Sequence, residues 1–362
     1  MATSHSANNL DPMTLRAVDF FCGGGGMTCG LRMAGINVLG GLDIAADCRE
    51  TYEFNNRPSR FVEQDVAGLD AEALGSIFDI RRDAPNLIFV GCSPCQYWSK
   101  IRTDRGKSEK SAFLLKEFQR FIDSFLPGFV VLENVPGLRS NPQSYLPHFR
   151  DFLKNSGYSF ADDVIDTSRY GVPQHRHRYL LVASRTCATV TLPIGDTPTV
   201  SVRQVIGEKN GFPRIAAGHA DNTNFMHTSA ELSALNLRRI QTTPHDGGDR
   251  LSWKDDPELQ IDAYKGRDDI FKDVYGRIRW DTPAPTITTR FNSLSNGRFG
   301  HPEEDRALSL REGACLQTFP KSYRFFGPSR NSVARQIGNA VPPLLARHIG
   351  KHLIRLSRHG DI

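Results

Sequence analysis

The sequence predicts an α/β protein with a mostly parallel, doubly wound sheet and a second, smaller domain that is rich in loops. Short apolar runs alternate with amphipathic stretches through the first half of the 362-residue chain. Residues with chemically useful side chains follow several of these runs, as expected where ligands bind beyond the carboxyl ends of parallel strands. Beyond about residue 187 the periodicity weakens, and Thr, Pro, Gly, Asn and Arg become frequent.

Apolar runs of strand length mark the elements of the first half. Strands are predicted at residues 16–21, 37–44, 87–90, 128–132 and 179–183, and helices from about Met27, up to Tyr52 and over 113–125. Gly23, Asp43, Cys95 and Glu133 come at or just past the ends of the first four runs. We therefore expect these four residues to lie at one edge of the sheet.

The change in composition divides the chain into three parts. Residues 1–13 are predicted to form a flexible tail, residues 14–187 together with 330–362 one domain, and residues 188–329 a second domain with a hinge. Residues 301–325 have a helical pattern, and a loop followed by a closing helix is predicted from Ser332.

Composition and charge set broad limits on function. The net charge of +5 permits a polyanionic partner without requiring one. No apolar run approaches the ~18 residues of a membrane span, and the N-terminus lacks the features of an export signal. Seven cysteines, an odd number, then predict free thiols in a reducing cytoplasm.

A run of glycines from Gly23 to Gly26 follows the first predicted strand and opens a helix. Glycine there allows a ligand to approach the backbone closely. A P-loop is excluded because no Lys-Ser or Lys-Thr follows at the required spacing. A nucleotide-type cofactor site remains open, with Asp43 about 20 residues further on as a ribose acceptor, and so does a tight structural turn.

The stretch Gly91-Cys92-Ser93-Pro94-Cys95 allows four interpretations. A C-x-x-C pair is typical of thioredoxin-like redox proteins, but a polar loop follows it here. Zinc is disfavoured because neither a second C-x-x-C nor a histidine pair at finger spacing follows. Two buried, inert thiols are the third interpretation. The fourth is one nucleophile, Cys95, with Glu133 as acid or base and Arg176 and Arg178 as nearby positive charge.

Six motifs in order carry a resemblance that covers nearly the whole chain. They are Asp19–Gly26 (DFFCGGGG), Pro94-Cys95-Gln96, Glu133-Asn134-Val135, Gln174–Arg178 (QHRHR), Arg311–Pro320 (REGACLQTFP) and Gln336–Pro343 (QIGNAVPP). Together they resemble the S-adenosylmethionine-dependent cytosine-C5 DNA methyltransferases, in particular the compact bacterial modification enzymes. The resemblance implies a Rossmann-like methyltransferase fold, with residues 188–329 as the target-recognition domain.

The resemblance also implies roles for four catalytic residues. Cys95 would attack C6 of a cytosine that has been flipped out of the DNA duplex, and Cys92 would be a bystander. Glu133 would contact ring N3 and the exocyclic amine, for which it must hold a proton near neutral pH. Arg176 and Arg178 would hold the carbonyl oxygen of the base and help to keep Cys95 ionised.

Cofactor and DNA contacts follow from the same resemblance. Residues expected at S-adenosylmethionine are Phe21, Cys22, Gly23, Gly24, Gly26, Asp43, Ile44, Asp65, Val66, Pro94 and Asn339. Residues expected at the nucleic acid are Gln96, Ser99 and Arg290. Residues 99–110, with five basic and two acidic side chains, are predicted to form a loop that closes on DNA. Residues 274–300 have four arginines against one aspartate, which favours contacts with phosphates.

Two alternative functions remain at this stage. One branch of the family methylates tRNA, but its Cys-Phe-Thr tripeptide is missing here and the predicted recognition region is long, which favours DNA. A catalytically silent DNA-binding module is disfavoured because Cys95, Glu133 and both arginines are retained. We expect a cytoplasmic monomer that associates with the nucleoid through DNA, needs no metal and no membrane, and modifies the site of a cognate restriction endonuclease.

Overall fold

The computed structural model describes residues 14–93 and 106–359. Four of the predicted site residues therefore lie outside the described residues: Pro94, Cys95, Gln96 and Ser99. The predicted N-terminal tail, residues 1–13, lies outside them as well.

A seven-stranded sheet forms the centre of the molecule, in the order β3-β2-β1-β4-β5-β7-β6. The strands are β1 Arg16–Phe20, β2 Asn37–Asp43, β3 Arg60–Glu63, β4 Leu87–Gly91, β5 Phe129–Asn134, β6 Ser159–Asp166 and β7 His177–Ser184. Strands β1 to β5 pair in parallel, whereas β7 runs antiparallel to both β5 and β6. The predicted α/β class and mostly parallel sheet are confirmed, and Glu133 lies within β5 rather than just past a strand.

Helices cover both faces of the sheet. The helices of the described residues are α1 Gly26–Ala34, α2 Arg49–Asn56, α3 Ala71–Phe78, α4 Gly106–Phe125, α5 Gly137–Ser140, α6 Leu146–Asn155, α7 Ala234–Thr242, α8 Leu310–Leu316, α9 Arg330–Asn339 and α10 Pro343–His359, of which α7, α8 and α9 pack outside the two cores of the sheet. Alternate residues of the strands enter two separate cores: Phe89 packs with α4 and α6 on one face, and Ile88 with α1 and α10 on the other. Burial on both faces explains why these strands appear as continuous apolar runs.

Residues 188–309 contain α7 and short 3₁₀ turns but no extended strand, as the loss of periodicity predicts. A third core joins this region to α9, with Val202, Trp280 and Phe319 packed around Val333 and Ile337. The partition of the chain at residues 187 and 330 remains a prediction.

Three local predictions were wrong. The helix expected over 301–325 is confined to α8, because Ser309 and Glu312 form a capping box at its start and Thr318 leaves the helix with a φ of 67°. Ser332 lies inside α9, which starts earlier than predicted because Ser329 caps it. The loop expected over residues 99–110 is contradicted at residues 106–110, which belong to α4, and its residues 99–105 lie outside the described residues.

Across residues 14–93 and 106–359, no helix is both long and apolar enough to cross a membrane.

Candidate active site

A cavity of about 360 Å³ opens at the carboxyl ends of β1, β2, β4 and β5 and is closed from above by the end of α9. Of the predicted site residues, it is lined by Phe21, Cys22, Gly23, Gly24, Gly26, Asp43, Ile44, Glu133, Arg176, Arg178 and Asn339. These residues come from distant parts of the chain and meet where parallel strands end, which is where such folds bind ligands.

The glycine turn forms the floor of the cavity. Phe21 has a φ of 61°, which is costly for a bulky side chain and is typical of residues held in place for function. Gly23 has a φ of 49°, a conformation that glycine adopts without strain. A Cβ atom on Gly26 would lie 2.4 Å from the carbonyl oxygen of Val341, so glycine is required where α1 meets the wall of the cavity.

Asp43 is held rigidly at the end of β2. Its Oδ2 accepts a hydrogen bond from the Gly23 amide at 2.8 Å, and its Oδ1 accepts one from the Ala45 amide at 2.8 Å. Burial raises the pKa of this carboxyl group, and the backbone donors oppose the rise. Each carboxylate oxygen keeps further acceptor capacity, which suits a ligand that carries two hydroxyl groups.

An apolar surface stands beside this carboxylate. Ile44 lines the cavity although 69% of its surface is exposed, and Phe21 stands on the glycine side. A large exposed apolar residue at a cavity mouth is typical of a site that covers a flat organic ring.

Glu133 and Arg178 form an ion pair at the wall of the cavity. The Nε atom of Arg178 lies 3.1 Å from Oε1 of Glu133, but the contact is an ion pair rather than an aligned hydrogen bond. Burial raises the pKa of Glu133, while the charges of Arg178 and Arg176 act in the opposite direction. A buried carboxyl group with a raised pKa at a cavity wall is a candidate proton donor.

Arg176 is buried, and its guanidinium binds backbone carbonyl groups of two other segments. It donates to Ile287 O at 3.0 Å, to Gly338 O at 3.1 Å and to Ala340 O at 3.2 Å. These contacts connect the end of α9, which lines the cavity, to the segment that precedes Arg290. Arg176 therefore positions the wall of the cavity, and Arg178 is the arginine next to Glu133.

Two buried glutamines continue this connection. The Nε2 atom of Gln174 donates to Oε1 of Gln317 at 2.7 Å, and its own Oε1 accepts from the Ile287 amide at 3.0 Å. Gln317 in turn donates to Ile337 O at 2.7 Å and to Ala340 O at 3.3 Å. The QHRHR, REGACLQTFP and QIGNAVPP motifs thus meet in one hydrogen-bond network.

The segment that leads to Cys95 is anchored beside Glu133. The side-chain amide of Asn134 donates to Ser93 Oγ at 2.9 Å and to Ser93 O at 3.3 Å. Cys92 lines the cavity, and its amide donates to Phe20 O at 3.3 Å. Cys95 follows Ser93 by two positions and lies outside the described residues.

The cavity also contains a residue for which the sequence suggested no role. Asp19 is fully buried at the end of β1, and Thr28 Oγ1 donates to its Oδ2 at 2.7 Å while its Oδ1 has no hydrogen-bond partner. Burial raises the pKa of this carboxyl group to about 7. An acid at the end of an otherwise apolar run was the available signal, because such a position is rarely tolerated without a function.

Polar contacts connect Asp47 to α9 at the rim of the cavity. The guanidinium of Arg335 donates to Oδ2 of Asp47 at 2.7 Å, and Gln336 Nε2 donates to Asp47 O at 2.9 Å. Asp47, Arg335 and Gln336 all line the cavity, and none of them stood among the predicted site residues.

Three predicted residues lie away from the cavity lining. Asp65 is exposed and accepts a hydrogen bond from the Ala67 amide at 3.0 Å, whereas Val66 is buried in the core beneath it. Arg290 is exposed in the turn after Ile287, two residues beyond Thr288. Their assignments remain predictions.

The arginines of residues 274–300 do not form one basic surface as expected. Arg277 is fully buried and donates to Thr243 O at 3.0 Å and to His301 O at 2.9 Å. Its role is therefore to hold loops together, because its donors are already used inside the protein.

One group in the described ranges, His301, Glu304 and Glu312, has the composition of a metal site. However, the Glu304 amide donates to Nδ1 of His301 at 3.0 Å, so the proton sits on Nε2, which then cannot ligate a metal. Arg306 also donates to both oxygens of Glu312, at 2.7 and 2.9 Å. The group is a buried polar network that stabilises the start of α8.

The fold and the cavity define an α/β protein with a nucleotide-type ligand site next to a buried carboxyl–arginine pair. Comparisons with known proteins agree. The family model of C-5 cytosine-specific DNA methylases matches residues 15–355. The type II methylase M.HgiDII of Herpetosiphon aurantiacus is 40% identical over 346 residues, which cover 93% of this chain and 94% of that protein.

Two further matches are more distant. The type II methyltransferase M1.BsuMI of Bacillus subtilis is 29% identical over 360 residues, covering 96% of this chain and 82% of that one. The crystal structure of a prophage-encoded E. coli protein, assigned as a DNA modification methyltransferase, superposes with a TM-score of 0.72 at 22% identity and covers 96% of this chain and all of that one. The chain therefore belongs to the C-5 cytosine-specific DNA methylase family and is a DNA cytosine-C5 methyltransferase.

Proposed function

We propose that the protein transfers a methyl group from S-adenosylmethionine to C5 of cytosine within one short double-stranded DNA sequence, through covalent attack by Cys95. The observation that carries the proposal is the Glu133–Arg178 pair at the wall of a cavity whose floor is the glycine turn. A base held against this pair would lie next to a ligand held at the turn, and the Cys95 segment starts beside both.

The residues of the cavity fit S-adenosylmethionine, which would supply an electrophilic methyl group on a sulfonium. Asp43 would accept hydrogen bonds from the ribose hydroxyls, and Phe21 and Ile44 would pack against the adenine. The unpartnered Oδ1 of Asp19 suits the ammonium group of the methionine moiety, since a cation next to it would offset the cost of its burial. Asn339, at the end of α9, is placed to donate to the cofactor from the rim.

The protein's own residues would then carry the reaction on the base. The thiolate of Cys95 adds to C6, and Glu133 in its acid form donates to N3, so that the charge developing in the ring is stabilised. C5 takes the methyl group, water accepts the C5 proton as the Cys95 thiolate is expelled, and the N3 proton returns to Glu133. Arg178 donates to the carbonyl oxygen of the base and limits how far burial raises the pKa of Glu133.

The target cytosine must leave the duplex to reach this pocket, at a cost of a few kcal/mol. Residues 188–329 supply the surface that would read the surrounding sequence, and exposed cations such as Arg290 would contact phosphates. The type II relatives support a role as the modification partner of a restriction endonuclease that cuts the same sequence.

The test is methyl transfer from labelled S-adenosylmethionine to unmethylated bacterial DNA, with the modified positions mapped. We expect 5-methylcytosine at one short motif, abolished by Cys95→Ser but retained by the matched Cys92→Ser. Label on tRNA instead of DNA would contradict the substrate assignment. Equal loss in both cysteine variants would contradict the single nucleophile.

A further inference from the structure

A cationic groove lies on the side of the molecule away from the active site. Its volume is about 570 Å³, and its walls are α10 and the segment around residues 193–196. Lys351, Arg355 and Arg358 line it together with His348. Nothing in the proposed reaction uses this groove.

The helix that builds the groove has an unusual charge pattern. From Pro343 to His359, α10 has four Lys or Arg residues and no Asp or Glu. In the described part of the chain, Lys351, Arg355 and Arg358 make no ion pair. Lys351, Arg355 and Arg358 follow at i, i+4 and i+7, so they share one face of the helix and span about 10 Å along it.

These cations affect the titration of His348, which lies inside the groove. The pKa of His348 is lowered, first by burial and then by Lys351, Arg347 and Arg355, against a smaller opposite effect of Asp196. The ring of His348 also packs edge-on against Tyr170, with centroids 5.6 Å apart. Asp196 also lines the groove, so Lys351, Arg355 and Arg358 stand against one carboxylate and the lining keeps an excess of positive charge.

The floor of the groove is apolar. Ile194 is 68% exposed there, and Pro193 and Ile354 lie next to it. The position of Pro193 is fixed because Tyr170 donates a hydrogen bond to its carbonyl oxygen at 2.9 Å. This combination suits a sugar–phosphate strand. The cations can contact its phosphates, and the apolar side chains can pack against its sugars.

The position of the groove separates it from the DNA at the active site. Pro343 starts α10 two residues after Val341, which lines the cavity, and the helix then runs about 25 Å away from it. Gly350 packs against Ala34 and Ile36, at the edge of the sheet opposite the cavity. DNA is stiff on this length scale, so a duplex whose base enters the cavity does not also reach the groove.

We propose that the groove between α10 and residues 193–196 binds the phosphate backbone of a second DNA segment, separate from the segment that is methylated. The span of the three cations covers about three phosphates of one strand, which are 3.4 Å apart along the helix axis. A protein of this family always works on long DNA, so a second segment is near whenever the first is bound. The groove would hold the enzyme on DNA between methylation events.

The experiment counts duplexes per protein. At low ionic strength, native mass spectrometry with a short duplex of A·T pairs only should find two duplexes on the wild-type chain. The Lys351→Glu/Arg355→Glu variant should bind one. The matched control, Arg57→Glu/Arg81→Glu, changes the net charge equally at two exposed sites that lie outside the groove, the cavity and residues 188–329, and it should still bind two.

Further measurements keep the groove distinct from the active site. Methyl transfer to a short oligonucleotide should be unchanged in the groove variant. On the wild type, binding of the second duplex should weaken steeply as the salt concentration rises, because it rests on contacts with phosphates. Binding of the second duplex should raise the pKa of His348, measured by NMR. One duplex on the wild type, or two on the groove variant, would overturn the proposal. So would a hexaglutamate peptide that occupies the groove when the duplex does not, because the partner would then be an acidic protein.

Discussion

The guanidinium of Arg178 lies 3.1 Å from the carboxyl group of Glu133, and the two have opposing effects on one proton. Burial raises the pKa of Glu133, and Arg178 makes the largest opposing contribution. Under the proposed mechanism Glu133 donates a proton to cytosine. Burial would keep the proton on this carboxyl group, and Arg178 would limit how tightly the proton is held.

The first prediction concerns the pH dependence of methyl transfer. If the acid form of Glu133 is the active one, kcat/KM falls as the pH rises through the pKa of Glu133. Arg178→Met removes a positive charge, so the pKa rises further and the alkaline limb moves to higher pH. Glu133→Gln should lower kcat by roughly 10²- to 10⁴-fold and remove that limb. A limb that stays at the same pH in the Arg178→Met variant would contradict the assignment.

The second prediction concerns the stability of the protein without ligands. The pKa of Asp19 is raised from 3.8 to about 7, so the folded state holds the proton more tightly than the unfolded chain. The contribution of Asp19 to the free energy of unfolding is therefore fully present below pH ~4. It falls by on the order of 4 kcal/mol as the pH rises to about 7. Asp19→Asn should show a correspondingly smaller loss between pH 4.5 and 8 in urea unfolding experiments. An equal loss in both proteins would show that Asp19 ionises normally.

The third prediction separates two carboxylates that the sequence placed at the cofactor. Asp43 lines the cavity and is held by two backbone amides, whereas Asp65 is exposed outside its lining. Asp43→Asn replaces charge-assisted hydrogen bonds, so the Kd for S-adenosylmethionine should rise by about tenfold or more. Asp65→Asn is the matched control, and calorimetry should find a smaller change. A larger rise in Kd for Asp65→Asn than for Asp43→Asn would indicate that the adenine binds nearer to β3 than proposed.

The fourth prediction concerns the buried glutamine pair. Gln317→Leu would leave one N–H of Gln174 without its acceptor and the carbonyl group of Ile337 without its side-chain donor, at a cost of about 1–3 kcal/mol for each unsatisfied group, while Arg176 still donates to Ala340 O. Because Ala340 lines the cofactor cavity, binding of S-adenosylmethionine should weaken together with stability. Gln317→Glu retains an acceptor for Gln174 but places an oxygen against the carbonyl groups of Ile337 and Ala340, so it should restore neither stability nor binding. Thermal unfolding and calorimetry on the same variants test this.

Much of the architecture follows from local pattern. Buried parallel strands must be apolar on both faces, so runs such as Leu87–Gly91 and Phe129–Asn134 stand out in the sequence. The short edge strand Arg60–Glu63 has no comparable run and was not predicted. The helix at 301–325 was overestimated because a pattern of apolar residues does not reveal where Ser309 and Thr318 begin and end it.

The sequence by itself determined the class of fold and the family and predicted the reactive residues, because glycine turns, strand ends and spaced motifs are local features of the chain. Only the tertiary structure decided what each of them touches. Arg176 and Arg178 are two residues apart, a spacing that would put both on one face of a strand. However, Arg176 precedes β7, and its guanidinium binds backbone carbonyls whereas that of Arg178 lies next to Glu133. Asp19 and Arg277 likewise became informative only through burial, which is a property of the packed molecule and not of the neighbouring sequence.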